Sequence, residues 1–297
     1  MSLFTSIQSW LPHHLISRLT GRLARSEWRP LKRLLIRKVM AWYDISLSDF
    51  ESGDPDSYAS FNAFFTRALK AGARPLDAHP NHIVSPVDGT ISQLGTISGE
   101  RVFQAKNKDY SASTLLGDAQ LATIFANGLF ITAYLAPHNY HRIHMPLRGI
   151  LRSMQHIPGR LFSVNAASVT HIDQLFARNE RVVCTFDTRF GPMAMIMVGA
   201  LNVGSIETCH AGVIAPRSKA QTHNWSYAAD EIKPFDKGQE FARFNLGSTV
   251  ILMFADGGAQ WLEPLSAGQT LLMGQQLGTG MQSGFRALGL EAGGPSA

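Results

Sequence analysis

Phe244-Asn245-Leu246-Gly247-Ser248-Thr249-Val250-Ile251-Leu252-Met253-Phe254 is the stretch on which the reading of the whole chain turns. Ser248–Phe254 is an apolar run rich in strand formers, and Glu240–Phe244 before it has the same character. Gly247 sits where a turn would hand over to a strand, a place where a glycine carbonyl can be presented openly. Further strand signals follow the same pattern at Gly128–Leu135, Arg181–Phe186 and Met193–Val203. Ser85-Pro86-Val87-Asp88-Gly89-Thr90 reads as a turn, and Ser113–Gly117 and Ala119–Phe125 as short helices. Lys237-Gly238-Gln239 leading to Leu246-Gly247-Ser248 is echoed by Ala267-Gly268-Gln269 leading to Leu277-Gly278-Thr279, which suggests two related strand–turn–strand units. The body is therefore predicted to be mostly β, barrel- or sandwich-like, over residues 61–278.

The N-terminal part differs. Residues 1–40 carry eight Arg and Lys against Glu27 alone, a net of +7, which leaves the remainder at −2 out of the overall +5. Pro30 can open a helix, after which Leu31, Leu34, Leu35, Val39 and Trp42 form one face. Trp10, Leu11, Leu15, Ile16 and Leu19 make a similar earlier face. An interfacial membrane segment and an amphipathic helix docked on its own domain both fit this pattern. Phe61, Phe64, Phe65 and Leu69 are spaced for a further helix face. The fold class expected is α+β. A helical region of residues 1–60 precedes the body of 61–278, and a Gly/Ser-rich flexible tail occupies 279–297.

No run reaches 18 uncharged apolar residues, and the first residues lack the pattern of a signal peptide, so a cytoplasmic chain is expected. The absence of a recognised motif or basic–aromatic interleaving speaks against nucleic acid as a partner. Cys184 and Cys209 do not make a disulfide framework and are expected to be two buried thiols.

Chemistry-bearing residues cluster in Ala136-Pro137-His138-Asn139-Tyr140-His141-Arg142-Ile143-His144-Met145-Pro146. Three histidines at this spacing invite zinc, but no fourth ligand is evident, and the expected metal content is none. A buried hydrogen-bonded histidine cluster is the competing reading. Arg142 suggests an anion such as phosphate nearby, with an ordinary salt bridge as the alternative. Asp88, His144 and Ser248 are compatible with an acid–base–nucleophile set, although spacing alone does not establish it. Ser248 lacks the Gly-x-Ser-x-Gly context of a hydrolase.

Taken in order, Phe65-Thr66-Arg67, Ser85-Pro86-Val87-Asp88-Gly89, Asp109-Tyr110-Ser111, Tyr140-His141-Arg142 with His144, Leu161-Phe162-Ser163-Val164-Asn165, Asn179-Glu180-Arg181 and Leu246-Gly247-Ser248-Thr249 resemble the phosphatidylserine decarboxylases of the prokaryotic membrane-associated type. The likeness runs from about Phe61 to Gly278, with His138-Asn139 standing where a basic residue and an aspartate are expected. It implies a proenzyme whose own Gly247–Ser248 bond is its first substrate. His144, oriented by Asp88, deprotonates Ser248; the cut leaves fragments 1–247 and 248–297, which stay together. Ser248 becomes a pyruvoyl group, the Schiff-base site for the substrate amine. His141 is implied in decarboxylation or reprotonation, and Arg142 and His138 in contacting phosphate. The resemblance thus implies phosphatidylserine as substrate, phosphatidylethanolamine and carbon dioxide as products, and a peripheral place on the cytoplasmic face of the cell membrane. A homodimer is left open. The alternatives are a pyruvoyl-dependent decarboxylase of a soluble amino acid, which would need no membrane arm, and a non-enzymatic lipid-binding module, which would stay uncut.

Overall fold

The computed structural model describes residues 12–105, 108–201, 205–214, 221–228, 231–245 and 248–282. Trp10 and Leu11, Leu246 and Gly247, and the proposed tail beyond 282 lie outside the described residues.

Two helices open the described chain, α1 (His13–Ala24) and α2 (Arg29–Tyr43). Pro30 stands in the first turn of α2, where no intrahelical N–H is lost. Asp44, in the left-handed conformation, ends it. A single 3₁₀ turn, Pro55–Ser57, leads to α3 (Phe61–Phe65), whose start is capped by the Ser60 side chain accepting from the Ala63 N–H. The helix stops short of Leu69. The buried Arg67 guanidinium donates to the Phe64 and His138 carbonyls and lies over the Phe50 and Phe64 rings. That turns the chain, and Leu69 bridges to Phe50 instead.

The docking of α1 departs from its expected polarity. Its body-facing residues are His13, Ser17, Gly21 and Ala24, while Leu15, Leu19 and Leu23 are exposed beside Arg18 and Arg22. On α2, Lys32 and Ile36 are buried, Leu35, Val39 and Met40 pack partly, and Leu34 and Trp42 face outward. Two helices thus dock through one face and display apolar side chains on another.

In the body, the strands are β1 (His82–Val84), β2 (Gly89–Thr96), β3 (Arg101–Ala105), β4 (Lys108–Ser111), β5 (Leu129–Leu135), β6 (Arg142–His144), β7 (Gly149–Ile157), β8 (Arg181–Thr188), β9 (Gly191–Val198), β10 (Ser205–Thr208), β11 (Gly212–Val213), β12 (His223–Ser226), β13 (Glu240–Asn245), β14 (Ser248–Phe254), β15 (Ala259–Trp261), β16 (Thr270–Leu271) and β17 (Gln276–Gly280). Between them lie α4 (Ala112–Leu116), α5 (Ala119–Ile124), α6 (Ala166–His171) and α7 (Leu175–Arg178). The centre is an eight-stranded antiparallel sheet in the order β12-β7-β8-β9-β14-β5-β2-β16. Among the described residues its two edges do not pair, so it is an open sheet rather than a barrel. A four-stranded sheet, β11-β10-β13-β6, packs on one face, giving the sandwich-like part of the expectation. Helices α4 to α7 and the β3–β4 hairpin cover the other. The remaining three strands form a small sheet, β1-β17-β15.

β14 explains why its sequence lacks polar alternation. Val250, Leu252 and Phe254 enter the core shared with the four-stranded sheet, and Ile251 and Met253 enter the core under the helices. A strand covered on both faces reads as a continuous apolar run.

The internal echo proves to be a turn. Asp236–Gln239 and Ser266–Gln269 each place glycine third with positive φ, +78° at Gly238 and +90° at Gly268, and each glutamine side chain accepts from the first residue's N–H. Leu272–Gln275 repeats the glutamine bond. The strands after the turns differ, since β13 runs on while β16 ends after two residues. Cys184 is buried, but Cys209 is exposed, contrary to expectation.

Leu252→Ala should cost about 2–5 kcal/mol of stability, because it empties space in a core strand. Denaturant melting of the chain measures it.

Candidate active site

Backbone pairings join the histidine segment to Phe244 and place its start beside the partner of Ser248. β13 pairs antiparallel with β6, setting Glu240 opposite His144 and Arg243 opposite Arg142, and the Phe244 N–H donates to the His141 carbonyl at 3.0 Å. On the far side of the junction, Ser248 opens β14 opposite Leu135, the last residue of β5. The 135–141 turn therefore spans from the partner of Ser248 to the partner of Phe244. Both ends of the residue 245–248 link are tied to the segment that carries the histidines.

His144 is nearly buried, and its two ring nitrogens are assigned by their partners. Nδ1 lies 2.7 Å from the Gly238 carbonyl, which can only accept, so Nδ1 carries the proton. Nε2 is then an acceptor, 2.8 Å from the Tyr140 hydroxyl. Burial holds the ring's pKa below the usual imidazole value, against the carbonyl bond, which raises it. His141 is fully buried. Its Nδ1–H donates to the Asn139 carbonyl at 2.8 Å, and its ring lies 4.0 Å from that of Phe65. Desolvation pushes its pKa down to about 3. Its Nε2 is a buried lone pair with no hydrogen-bond partner among the described residues.

Asp88 sits on the predicted turn, where the Ser85 hydroxyl donates to the Val87 carbonyl. The His144 N–H donates to the Pro86 carbonyl at 2.8 Å, which brings the two segments together. The side chains are not bonded to each other. The Asp88 carboxylate instead accepts from Arg74 at 2.7, 3.0 and 3.1 Å and from the Met273 N–H at 2.8 Å. Arg74 also bonds Asp49, and these carboxylates hold its guanidinium firmly protonated. The carbonyl of Gly238, rather than Asp88, sets the His144 tautomer.

Arg142 follows the salt-bridge alternative. Its guanidinium donates to the Thr66 carbonyl and to Glu240, each at 2.9 Å. His138 lines a cleft of about 510 Å³ whose walls include Val39, Trp42, Tyr134, Leu135 and Ser163, and its ring lies 6.4 Å from that of Tyr43. The cleft thus lies between α2 and the end of β5, beside the partner of Ser248.

Sequence reasoning missed Tyr140, Arg74 and Gly238. Tyr140 stood inside the Tyr-His-Arg motif without a role. Nothing in the spacing of the other two signals which side chain they meet.

Two buried imidazoles, each with Nδ1 bonded to a backbone carbonyl, thus stand on the segment that is tied to Phe244 at one end and adjoins the partner of Ser248 at the other. A family model described as phosphatidylserine decarboxylase matches residues 61–279, and a second, described as PSD, matches residues 3–44. The phosphatidylserine decarboxylase proenzyme of Ectopseudomonas mendocina is 50% identical over 279 residues, 93% of this chain and 97% of that protein. That of Marinobacter nauticus is 49% identical with the same coverage, and that of Bordetella pertussis 49% identical over 93% of each. The chain belongs to the phosphatidylserine decarboxylase family. Its activity is the pyruvoyl-dependent conversion of phosphatidylserine to phosphatidylethanolamine after self-cleavage of a proenzyme.

The two depressed histidines carry a pH consequence. A buried neutral imidazole binds its proton less readily in the folded chain than in the unfolded one. Its contribution is fully present above the unfolded value of about 6.5 and is lost progressively as pH falls toward the folded value. Denaturation midpoints should fall between pH 7 and pH 4, and fall less steeply in His141→Asn.

Proposed function

We propose that Ser248, His144, Asp88 and His141 carry the two reactions of this decarboxylase, processing first and lipid turnover second. The observation that supports this most directly is the pairing of Phe244 with His141 and of Ser248 with Leu135, which frames the scissile link with the histidine segment.

In processing, Ser248 Oγ attacks the Gly247 carbonyl carbon while its proton passes toward His144 Nε2, the acceptor nitrogen. The C–N bond breaks as the ester forms, and the proton goes to the released amine. Loss of the Ser248 Cα proton then expels Gly247 as a carboxylate. The resulting dehydroalanine tautomerises and hydrolyses, releasing ammonia and leaving the pyruvoyl group at the head of β14. Asp88 serves by structure: it ties the 85–88 turn, against which His144 is hydrogen-bonded, to Arg74 and to Met273 of the smaller fragment. Fragment 248–297 stays in place because β14 is paired on both sides and β17 is paired with β1.

The unpartnered, buried Nε2 of His141 fits a site that receives a polar group. The pyruvoyl carbonyl supplies an electron sink for the bond to carbon dioxide. His141, neutral at working pH, takes a proton from the substrate ammonium at Nε2 and returns it to Cα once carbon dioxide has left. His138, on the cleft wall, is the residue we assign to the headgroup phosphate.

Denaturing electrophoresis tests the assignment. Wild type should resolve into pieces ending at 247 and beginning at 248, and Ser248→Ala and His144→Ala should remain largely one chain. His141→Ala should cleave yet decarboxylate about 10²–10⁴-fold more slowly. A His141→Ala enzyme turning over like wild type contradicts the role given to it.

The helices supply the route to lipid. Leu15, Leu19 and Leu23, exposed beside Arg18 and Arg22, and Trp42, 81% exposed, suit an interface-lying arm with cations on anionic headgroups. Anionic lipid of the inner leaflet would place it on the cytoplasmic face. No described helix is long and apolar enough to cross a membrane. In liposome flotation, salt should weaken attachment by removing the electrostatic share, roughly 1 kcal/mol per well-placed cation. The triple variant Leu15→Asp/Leu19→Asp/Leu23→Asp should lose the salt-resistant share. Equal flotation of variant and wild type contradicts the anchoring role.

A further inference from the structure

His144 has one ring nitrogen able to take a proton, and the structure places a phenol on it. Nδ1–H is committed to the Gly238 carbonyl at 2.7 Å, which leaves only Nε2. The Tyr140 hydroxyl stands 2.8 Å from that nitrogen. Since Nε2 carries the lone pair, the phenol must donate to it, and the phenolic oxygen keeps its own lone pairs to accept from another hydroxyl.

Tyr140 is not free to swing away. It is 3% exposed and packs in the cluster formed by Ile36, Phe61, Phe64 and Phe65, with its ring centroid 5.5 Å from that of His144. Displacing its hydroxyl from His144 would strand a buried donor without an acceptor. Asp88 offers no alternative path, since its carboxylate is taken up by Arg74 and the Met273 N–H.

We propose that Tyr140 relays the proton from Ser248 to His144 during self-cleavage. The inference rests on Ser248 being the nucleophile. As Oγ bonds to the Gly247 carbonyl carbon, the serine proton passes to Tyr140 Oη and the tyrosine proton passes to His144 Nε2. Two O–H bonds break, one O–H and one N–H bond form, and the phenol ends as it began. The same cluster that seats α2 on the body thereby fixes the relay.

Timed synthesis of the full chain, followed by denaturing gels, tests the relay. Tyr140→Phe should process at least about tenfold more slowly than wild type, within the range typical of lost acid–base assistance. Cleavage as fast as wild type, or faster, means that the hydroxyl merely covers Nε2, and it overturns the relay while leaving Ser248 as nucleophile. A second measurement needs no variant and so survives poor folding of Tyr140→Phe. The wild-type processing rate, plotted against the deuterium content of the solvent, should bow downward, because two protons move together. A straight line overturns the relay. A wild type that never cleaves overturns the nucleophile assignment itself.

Discussion

The pairing of β14 with β5 on one side and β9 on the other is the constraint on which the rest of the structure depends. It holds a fully apolar strand between two cores, and it fixes the first residue of that strand, Ser248, at the end of β5. Cleavage at the proposed Gly247–Ser248 bond would leave the strand where it was, because the hydrogen bonds that locate it run across to β5 and β9 and not through that bond. The proposed conversion of Ser248 to a cofactor therefore requires no rebuilding of the fold. On the other side of the junction, β13 belongs to the four-stranded sheet and carries the chain past the histidines. β13 and β14 thus belong to two different sheets, and the proposed cleavage site lies between them in sequence.

Burial sets the chemistry of the histidines. Both imidazoles donate through Nδ1 to backbone carbonyls, at Gly238 and Asn139, and both therefore present Nε2 as an acceptor. Desolvation lowers both pKa values and so disfavours the charged imidazolium. Among the described residues the two differ in what bonds Nε2: a hydroxyl at His144 and no partner at His141. In the proposed mechanism, that difference separates a nitrogen in a proton path from one that meets the substrate.

Much of this was legible in the chain. The run Ser248–Phe254 was read as a strand with the bounds found, because an apolar run of that length, flanked by a glycine, has few other uses. Pro30 and the leucine spacing located α2 to within a residue. Periodicity could not say which face of α1 docks. A helix that buries His13, Ser17, Gly21 and Ala24 and exposes leucines inverts the usual solution for a water-soluble surface. The bond partners of Asp88 and Arg142 were equally hidden, since Arg74 and Glu240 reach them only through tertiary packing. An open sheet was likewise indistinguishable from a barrel, because edge pairing leaves no trace in alternation.

The claim that the chain makes its own cofactor at Ser248 is tested most directly by the intact mass of the small fragment from freshly purified wild type. The account predicts a 248–297 piece lighter by one ammonia than the same piece with a serine terminus. A chain that stays whole, or a fragment that keeps Ser248 as serine, would contradict it.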